Sequence, residues 1–371
     1  MPPLSVLIKP ASAGCNLRCR YCFYADEAAR RAVPNHGVMS PAVLRQTLAR
    51  VFEAADGPVT LCFQGGEPLL AGLAFFEEAV RQVQALNVRR LPVAYALQTN
   101  GTLIDEDWAA FFARHHFLVG VSLDGTKDLH DLLRPDPAGG GTHKQALAGI
   151  GLLRRHGVAF NLLTVVTAQL ARSAQKVYNY YRKQGFCYQQ YIPCLDPLGA
   201  PRGGEPYSLT PAAYGQFLKD LFDCWYRDVS RGVFVYERYF QNLLGLLRGL
   251  PPESCALRGQ CAVQFVVEAD GGVYPCDFYA LDEYRLGDVA ACTLAQLQDS
   301  AAARRFIAPS LARDARCEAC AWLPLCRGGC RRDRELGGGQ LGSPYFCESY
   351  QAFFPYALPR LQELARRRGP V

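Results

Sequence analysis

Three cysteines near the start of the chain have the type and spacing to do chemistry. Cys15, Cys19 and Cys22 form Cys-x3-Cys-x2-Cys, written CNLRCRYC. Three thiolates can hold three irons of a cubic four-iron cluster and leave the fourth iron open to another ligand. A structural zinc site would want four closed ligands. The nearest further candidate, His36, lies 14 residues beyond Cys22 with no obvious tie to the loop. Eight more cysteines gather at the back: Cys255, Cys261, Cys276, Cys317, Cys320, Cys326, Cys330 and Cys347. Eight thiolates suffice for two closed four-thiolate sites. Zinc satisfies the same spacing, but a chain that opens with a redox cluster has use for further iron–sulfur centres. Spacing does not say which thiolates share a site, because many partitions of eight cysteines exist.

Other residues could serve such a centre. Asp277 directly follows Cys276 in VYPCDFY. A carboxylate buried beside thiolates is held above its ordinary pKa, which suits a general base near neutrality, although an Asp there could also cap the following turn. Gln64-Gly65-Gly66-Glu67-Pro68 has two glycines that let backbone come close to a ligand, though turns are full of glycine. Ser122 and Asp124 lie in VGVSLDG at the end of a strand-like run, where they could cap the strand or face a site. Arg134 could anchor a carboxylate bidentately, or lie on the surface.

These residues need elements to position them. Short apolar runs at Ser5–Lys9, Val59–Phe63, Val93–Gln98, Leu118–Leu123, Phe160–Val166 and Tyr188–Ile192 read as strands. Amphipathic stretches at Pro41–Ala55, Leu73–Ala85, Asp105–Arg114, Lys144–His156 and Ala171–Gln184 read as the helices between them. Such alternation means parallel β/α units, closed as a six-unit partial barrel or open as a doubly wound sheet. In either case the front cysteines follow the first strand, at the carboxyl ends where ligands bind. A Pro/Gly-rich linker at Gly199–Ser208 is followed by helices over Pro211–Val229 and Glu237–Arg248. Next come a hairpin, Val263–Glu268 with Val273–Pro275, and a last helix over Ala352–Arg368. The loop-rich cysteine region between buries little core of its own, so metal centres would supply stability there.

Composition narrows the class. Hydrophobic residues are 50% and charged residues 20%, which excludes a disordered chain. Lys and Arg number 40 against 34 Asp and Glu, a net charge of +6. Only Arg366-Arg367-Arg368 forms a basic run, so a nucleic-acid partner is not expected. No stretch reaches the ~20 apolar residues of a membrane span. Sixteen cysteines without a signal-peptide pattern point to metal ligation in the cytoplasm rather than disulfides. The five isolated ones, Cys62, Cys187, Cys194, Cys224 and Cys292, mostly read as small buried hydrophobes.

CNLRCRYCFY after the first strand resembles the signature loop of the radical S-adenosylmethionine enzymes, including the aromatic Tyr21 before the last cysteine. The resemblance implies a [4Fe-4S] cluster whose free iron is chelated by S-adenosylmethionine. Reductive cleavage then yields methionine and a 5′-deoxyadenosyl radical that abstracts a substrate hydrogen. It implies that Tyr21, Gly66, Ser122, Arg134 and Leu195 bind S-adenosylmethionine. The run from Cys261 to Cys347, with Cys255 just upstream, is similar to the seven-cysteine SPASM-type extension of peptide-modifying radical enzymes. That likeness implies one auxiliary cluster on Cys255, Cys261, Cys276 and Cys330 and another on Cys317, Cys320, Cys326 and Cys347, three [4Fe-4S] clusters in all. The expected fold is α/β, a partial (β/α)6 TIM-like barrel over residues 1–235. A loop-rich iron–sulfur domain over 236–348 and a C-terminal helix over 349–371 complete it.

Further segments, FQGGEPLLAG, LQTNGTLID, CLDP, QFVVEADGGVYPCDFY and GGCRRDR, occur in the order found in the anaerobic sulfatase-maturating enzymes, which the chain resembles from Leu7 to Arg334. That family implies oxidation of a cysteine or serine in an unfolded sulfatase, within Cys-x-Pro-x-Arg or Ser-x-Ala-x-Arg, to 3-oxoalanine (Cα-formylglycine). The radical takes a Cβ hydrogen, Asp277 takes the thiol or hydroxyl proton, and an auxiliary cluster takes the electron. A thioaldehyde from cysteine then hydrolyses. Gln64 and Tyr24 are expected to contact substrate, and a flavodoxin or ferredoxin to donate electrons. A related maturase that crosslinks ribosomal peptides is the alternative, and it would be expected to carry a leader-binding domain before the signature loop. A non-catalytic electron carrier would leave the six β/α units without a purpose.

Overall fold

The computed structural model describes residues 3–335 and 341–367. The chain divides into two compact units interleaved along the sequence. One comprises Met1–Ser122, Arg134–Phe160 and Ala262–Ile307; the other Leu123–Leu133, Asn161–Cys261 and Ala308–Val371.

In the first unit, β1 (Leu4–Ile8), β2 (Val59–Phe63), β3 (Val93–Thr99) and β4 (Leu118–Ser122) pair in parallel, in that order. Helices Pro41–Ala54, Leu73–Leu86 and Glu106–Arg114 connect them. Ser40 and Asp105 start two of these helices by accepting from the Val43 and Trp108 amides, satisfying donors that a helix N-terminus leaves open. Alternate residues Val6, Ile8, Val59, Leu61 and Phe63 are fully or almost fully buried, and Phe63 packs edge-on against Phe76, which packs against Trp108. Burying side chains of this size contributes about 1.5–3 kcal/mol each.

The hairpin is present but short: Val266 pairs with Tyr274 and Val267 with Val273. Its placement is a tertiary feature. Val266–Val267 runs parallel to β1, with Leu7 opposite Val266 and Ile8 opposite Val267. Polypeptide from the far end of the sequence thereby lies beside the residue that leads into the cysteine loop.

In the second unit, β5 (Phe160–Val166) pairs in parallel with β6 (Tyr188–Pro193), and β6 with β7 (Tyr236–Glu237). The six expected strands are present within a residue or so, alternating with helices as a partial (β/α)6 barrel requires, and the fold class is α/β. The helix expected over Ala171–Gln184 is two helices, Ala168–Ala171 and Ala174–Lys183, because Thr167 caps the first and Ser173 starts the second. A helix at Phe23–Ala29, not read from the sequence, follows Cys22 directly. The last helix begins at Cys347, five residues before Ala352, and runs to Arg366 through Pro355 and Pro359. The expected end at Arg368 lies outside the described residues. Among the described residues no helix is long and apolar enough to cross a membrane. Of the isolated cysteines, Cys194 and Cys224 are buried, while Cys62, Cys187 and Cys292 are half-buried.

Candidate active site

The front loop leaves β1 at Lys9 and carries three half-buried thiols, Cys15, Cys19 and Cys22, none of them in a disulfide. Backbone bonds shape it: the Gly14 amide donates to Ala11 and the Cys22 amide to Cys19. The Leu17 amide points at the Cys15 sulfur at 3.4 Å and the Asn100 side-chain amide at 3.9 Å. The Gly-Gly-Glu segment after β2 is pressed onto this loop. Gly66 donates to the Ser12 carbonyl at 3.0 Å and Glu67 to the Gly14 carbonyl at 2.7 Å. A Cβ on Gly66 would stand 2.1 Å from the Gly14 oxygen, so glycine is required here by backbone meeting backbone.

Glu67 is fully buried and was not singled out in the sequence. Its carboxylate accepts from the Thr99 hydroxyl at 2.7 Å and the Asn100 amide at 2.8 Å. Burial pushes it up to about 7. The clue was its place in FQGGEP, facing the polar QTN segment. Arg134 is buried, against the surface alternative, and donates to the Tyr21 hydroxyl at 2.8 Å. Ser122 closes β4, half-buried. Asp124 lies past that strand in the second unit, where it accepts from the Val165 amide at 2.9 Å.

Three expected residues from distant parts of the chain converge in the first unit. The Tyr24 hydroxyl donates to Asp277 Oδ2 at 2.6 Å. Gln64 Nε2 reaches Asp277 Oδ2 at 2.9 Å and the Tyr24 oxygen at 2.5 Å. Asp277 Oδ1 is buried without a hydrogen-bond partner. The turn Asp277–Tyr279 has no side-chain cap, which removes the capping alternative. Burial holds Asp277 above the usual carboxylate range, with the Lys9 ammonium drawing it back. Burial and the neighbouring Asp277 hold Tyr24 far above its ordinary value, so its proton stays on and the hydroxyl donates. His36 turns away: its ring Nδ1 lies 3.9 Å from Asp270.

The second unit holds Leu195 and seven of the back cysteines. Leu195 is half-buried just beyond β6, next to the buried Asp196. Asp196 ties its loop to the GGCRRDR segment, since Arg332 donates to the Asp196 carbonyl at 2.6 Å. The thiols of this unit fall into two groups by mutual influence. Burial pushes Cys326 up to about 11, aided by Cys347, Cys317 and Cys320. Burial also raises Cys330 strongly, aided by Asp333, Cys255 and Cys261. Among the described residues no three His, Cys, Asp or Glu side chains form a ready-made site for a single metal ion. The donor sets are all thiols outside disulfides, which suits iron–sulfur ligation.

The pattern of the radical SAM superfamily matches residues 10–173, and that of an iron-sulfur cluster-binding domain residues 255–321. The chain is 45% identical to the cysteine-type anaerobic sulfatase-maturating enzyme of Clostridium novyi, over 99% of this chain and 98% of the relative. It is 35% identical to the serine-type anaerobic sulfatase-maturating enzyme of Klebsiella aerogenes, over 98% and 87%. A solved structure of native anSMEcpe with bound AdoMet and Kp18Cys peptide is similar with a TM-score of 0.95 at 45% identity, covering 98% and 99% of the two chains. Streptococcus suis SuiB shares the fold, with a TM-score of 0.65 at 14% identity, covering 93% and 77%.

Proposed function

The chain belongs to the anaerobic sulfatase-maturating enzymes, and from that premise we propose how its own residues oxidise a sulfatase side chain to formylglycine. The substrate side chain is a cysteine, in a Cys-x-Pro-x-Arg segment of an unfolded sulfatase, since the relatives at 45–46% identity are cysteine-type. The crosslinking alternative is not favoured, since relatives at 45–46% identity over nearly the whole chain are sulfatase-maturating enzymes. The working organisation is a barrel over 1–235, an auxiliary-cluster domain over 236–348 and a terminal helix over 349–371.

Cys15, Cys19 and Cys22 would hold the cluster that works with S-adenosylmethionine, and Tyr21, Gly66, Ser122, Arg134 and Leu195 would bind the cofactor. The back cysteines would hold two further four-iron clusters, with Cys317, Cys320, Cys326 and Cys347 on one and Cys255, Cys261, Cys276 and Cys330 on the other. The mutual influence of the thiols within the second unit supports this division. When bound, these groups supply hydrogen abstraction at the substrate Cβ and a sink for one electron. The protein works in the cytoplasm and draws electrons from a flavodoxin or ferredoxin.

The observation that carries the reading is the Tyr24–Gln64–Asp277 constellation. Asp277 Oδ2 is fixed by two donors, while Oδ1 is buried and unpartnered. Oδ1 is therefore the atom that receives the thiol proton, and burial gives it the basicity to do so. Tyr24 and Gln64 orient the base and line the place of the substrate sulfur. The test is Asp277→Asn, with 5′-deoxyadenosine and peptide mass measured in one reaction. Loss of a general base costs on the order of 10²–10⁴ in rate. Cofactor cleavage should persist while aldehyde falls to about 1% or below; formylglycine at the wild-type rate would remove Asp277 from this role.

A further inference from the structure

Lys9 is an ammonium where the sequence promises only a strand end. The residue is 1% exposed, at the point where β1 gives way to the cysteine loop. Burying an ammonium costs several kcal/mol unless charges answer it. Its stem lies against Gly65: a Cβ there would come 3.4 Å from Lys9 Cβ and 3.6 Å from Lys9 Cε. Its tip stands 5.0 Å from the centre of the Tyr24 ring and 3.4 Å from Glu268 Oε2. Glu268 is already answered, because Arg31 donates to the same oxygen at 2.6 Å and the Ala269 amide to the other at 2.8 Å. Two cations, Lys9 and Arg31, thus face three buried carboxyls, Glu268, Glu27 and Asp277. The Lys9 ammonium pulls on all three.

We propose that Lys9 is a positioning residue for the oxidation step, its buried ammonium holding the Tyr24 ring and the Asp277 carboxylate in the arrangement that meets the substrate. Arg31 secures Glu268, and Glu268 in turn fixes the ammonium. That leaves the charge of Lys9 to act on the Tyr24 face and on Asp277. A desolvated cation over an aromatic face is attracted to the ring quadrupole, which favours one ring orientation over another. Without the cation, the buried carboxyls face one guanidinium, and the two-donor grip on Asp277 Oδ2 loses the charge that opposes repulsion from Glu268. The Lys9 ammonium is engaged by Glu268 and the Tyr24 ring rather than by the front thiols, so its removal acts on oxidation of the peptide and not on cleavage of the cofactor.

The proposal rests on Asp277 as the base, and the test separates the two. Reconstituted full-length Lys9→Met, Lys9→Gln, Lys9→Arg and Asp277→Asn are compared with wild type on a cysteine peptide, reading formylglycine formed per 5′-deoxyadenosine and the peptide KM. Lys9→Met should lower that ratio about tenfold to a hundredfold, the loss that about 1 Å of misplacement brings, with KM unchanged. Lys9→Arg, which keeps the charge, should recover part of it. If methionine prevents folding, Lys9→Gln is expected to show the same drop. An unchanged ratio in the neutral variant that folds overturns the proposal. So does parallel loss of both products, or failure of both neutral variants to load iron while Lys9→Arg loads normally, since each makes Lys9 a support of the fold alone. Wild-type formylglycine from Asp277→Asn would instead sink the base assignment, whatever Lys9 does.

Discussion

Replacing Gly66 by alanine adds one methyl group at a place where two backbones touch. The new Cβ would stand 2.1 Å from the Gly14 oxygen, 2.7 Å from the Gly14 carbonyl carbon and 2.8 Å from the Ala13 carbonyl carbon. All three atoms are backbone, so no side chain can swing aside. Moving from 2.1 Å to the 3.4 Å at which ordinary contact begins demands a separation of about 1.3 Å. That separation breaks the bonds from Gly66 to Ser12 and from Glu67 to Gly14, and Gly14 precedes Cys15. A shift of about 1 Å in a positioned group costs on the order of 10²-fold in rate, and overpacking costs about 1–3 kcal/mol of stability. Gly66→Ala should therefore lower 5′-deoxyadenosine formation about a hundredfold and reduce the melting temperature. Gly151→Ala is the control: its Cβ would meet nothing within 4 Å and it sits inside the helix His143–Arg155, so activity should be unchanged. The assay is 5′-deoxyadenosine release with dithionite on iron-matched samples. Wild-type cleavage by Gly66→Ala would show that the loop contact does not position the cofactor site.

Cys15→Ala, Cys19→Ala and Cys22→Ala should each abolish cleavage of S-adenosylmethionine, since the open cluster needs all three thiolates; normal 5′-deoxyadenosine from any of them refutes the ligand set. Reconstituted wild type should hold about twelve irons on eleven thiolates, and saturation near four with stoichiometric zinc would make the back half a zinc module. Burial pushes Glu27, Glu67 and Glu237 up to about 8, 7 and 7 from an ordinary 4.5. The folded state keeps protons there that the unfolded chain releases, so this contribution to stability falls as pH rises from about 4.5 through 7 and 8. Glu27→Gln, which keeps the neutral shape, should flatten that decline in melting temperature between about pH 5 and 8; parallel slopes in variant and wild type would contradict it.

Much of this protein is legible along the chain because its strongest signals are local. CNLRCRYC and CEACAWLPLC carry ligand spacing within single loops, and the apolar runs alternate with amphipathic stretches at the period of buried strands and surface helices. The six strands and most helices follow from that pattern, and the order of the motifs was enough to point to the family. Where periodicity runs one helix from Ala171, a short helix instead ends at Ala171 and another starts at Ala174.

Tertiary structure decided the rest, through one pairing above all. The parallel register of Val266–Val267 on β1 sets Glu268 beside Lys9, and the return strand brings Cys276 and Asp277 to Tyr24 and Gln64. Those partners are separated by 253 and 213 residues, beyond the reach of any spacing rule. Gly66 read as backbone free to approach a ligand, and the structure adds that the side a Cβ would occupy is filled by the Gly14 backbone; a glycine in sequence declares that space is needed but not what fills it. Lys9 read as the polar end of a strand. Only the surrounding carboxyls, Glu27 from the helix after Cys22 and Glu268 and Asp277 from the late hairpin, make its burial affordable and give its charge something to hold.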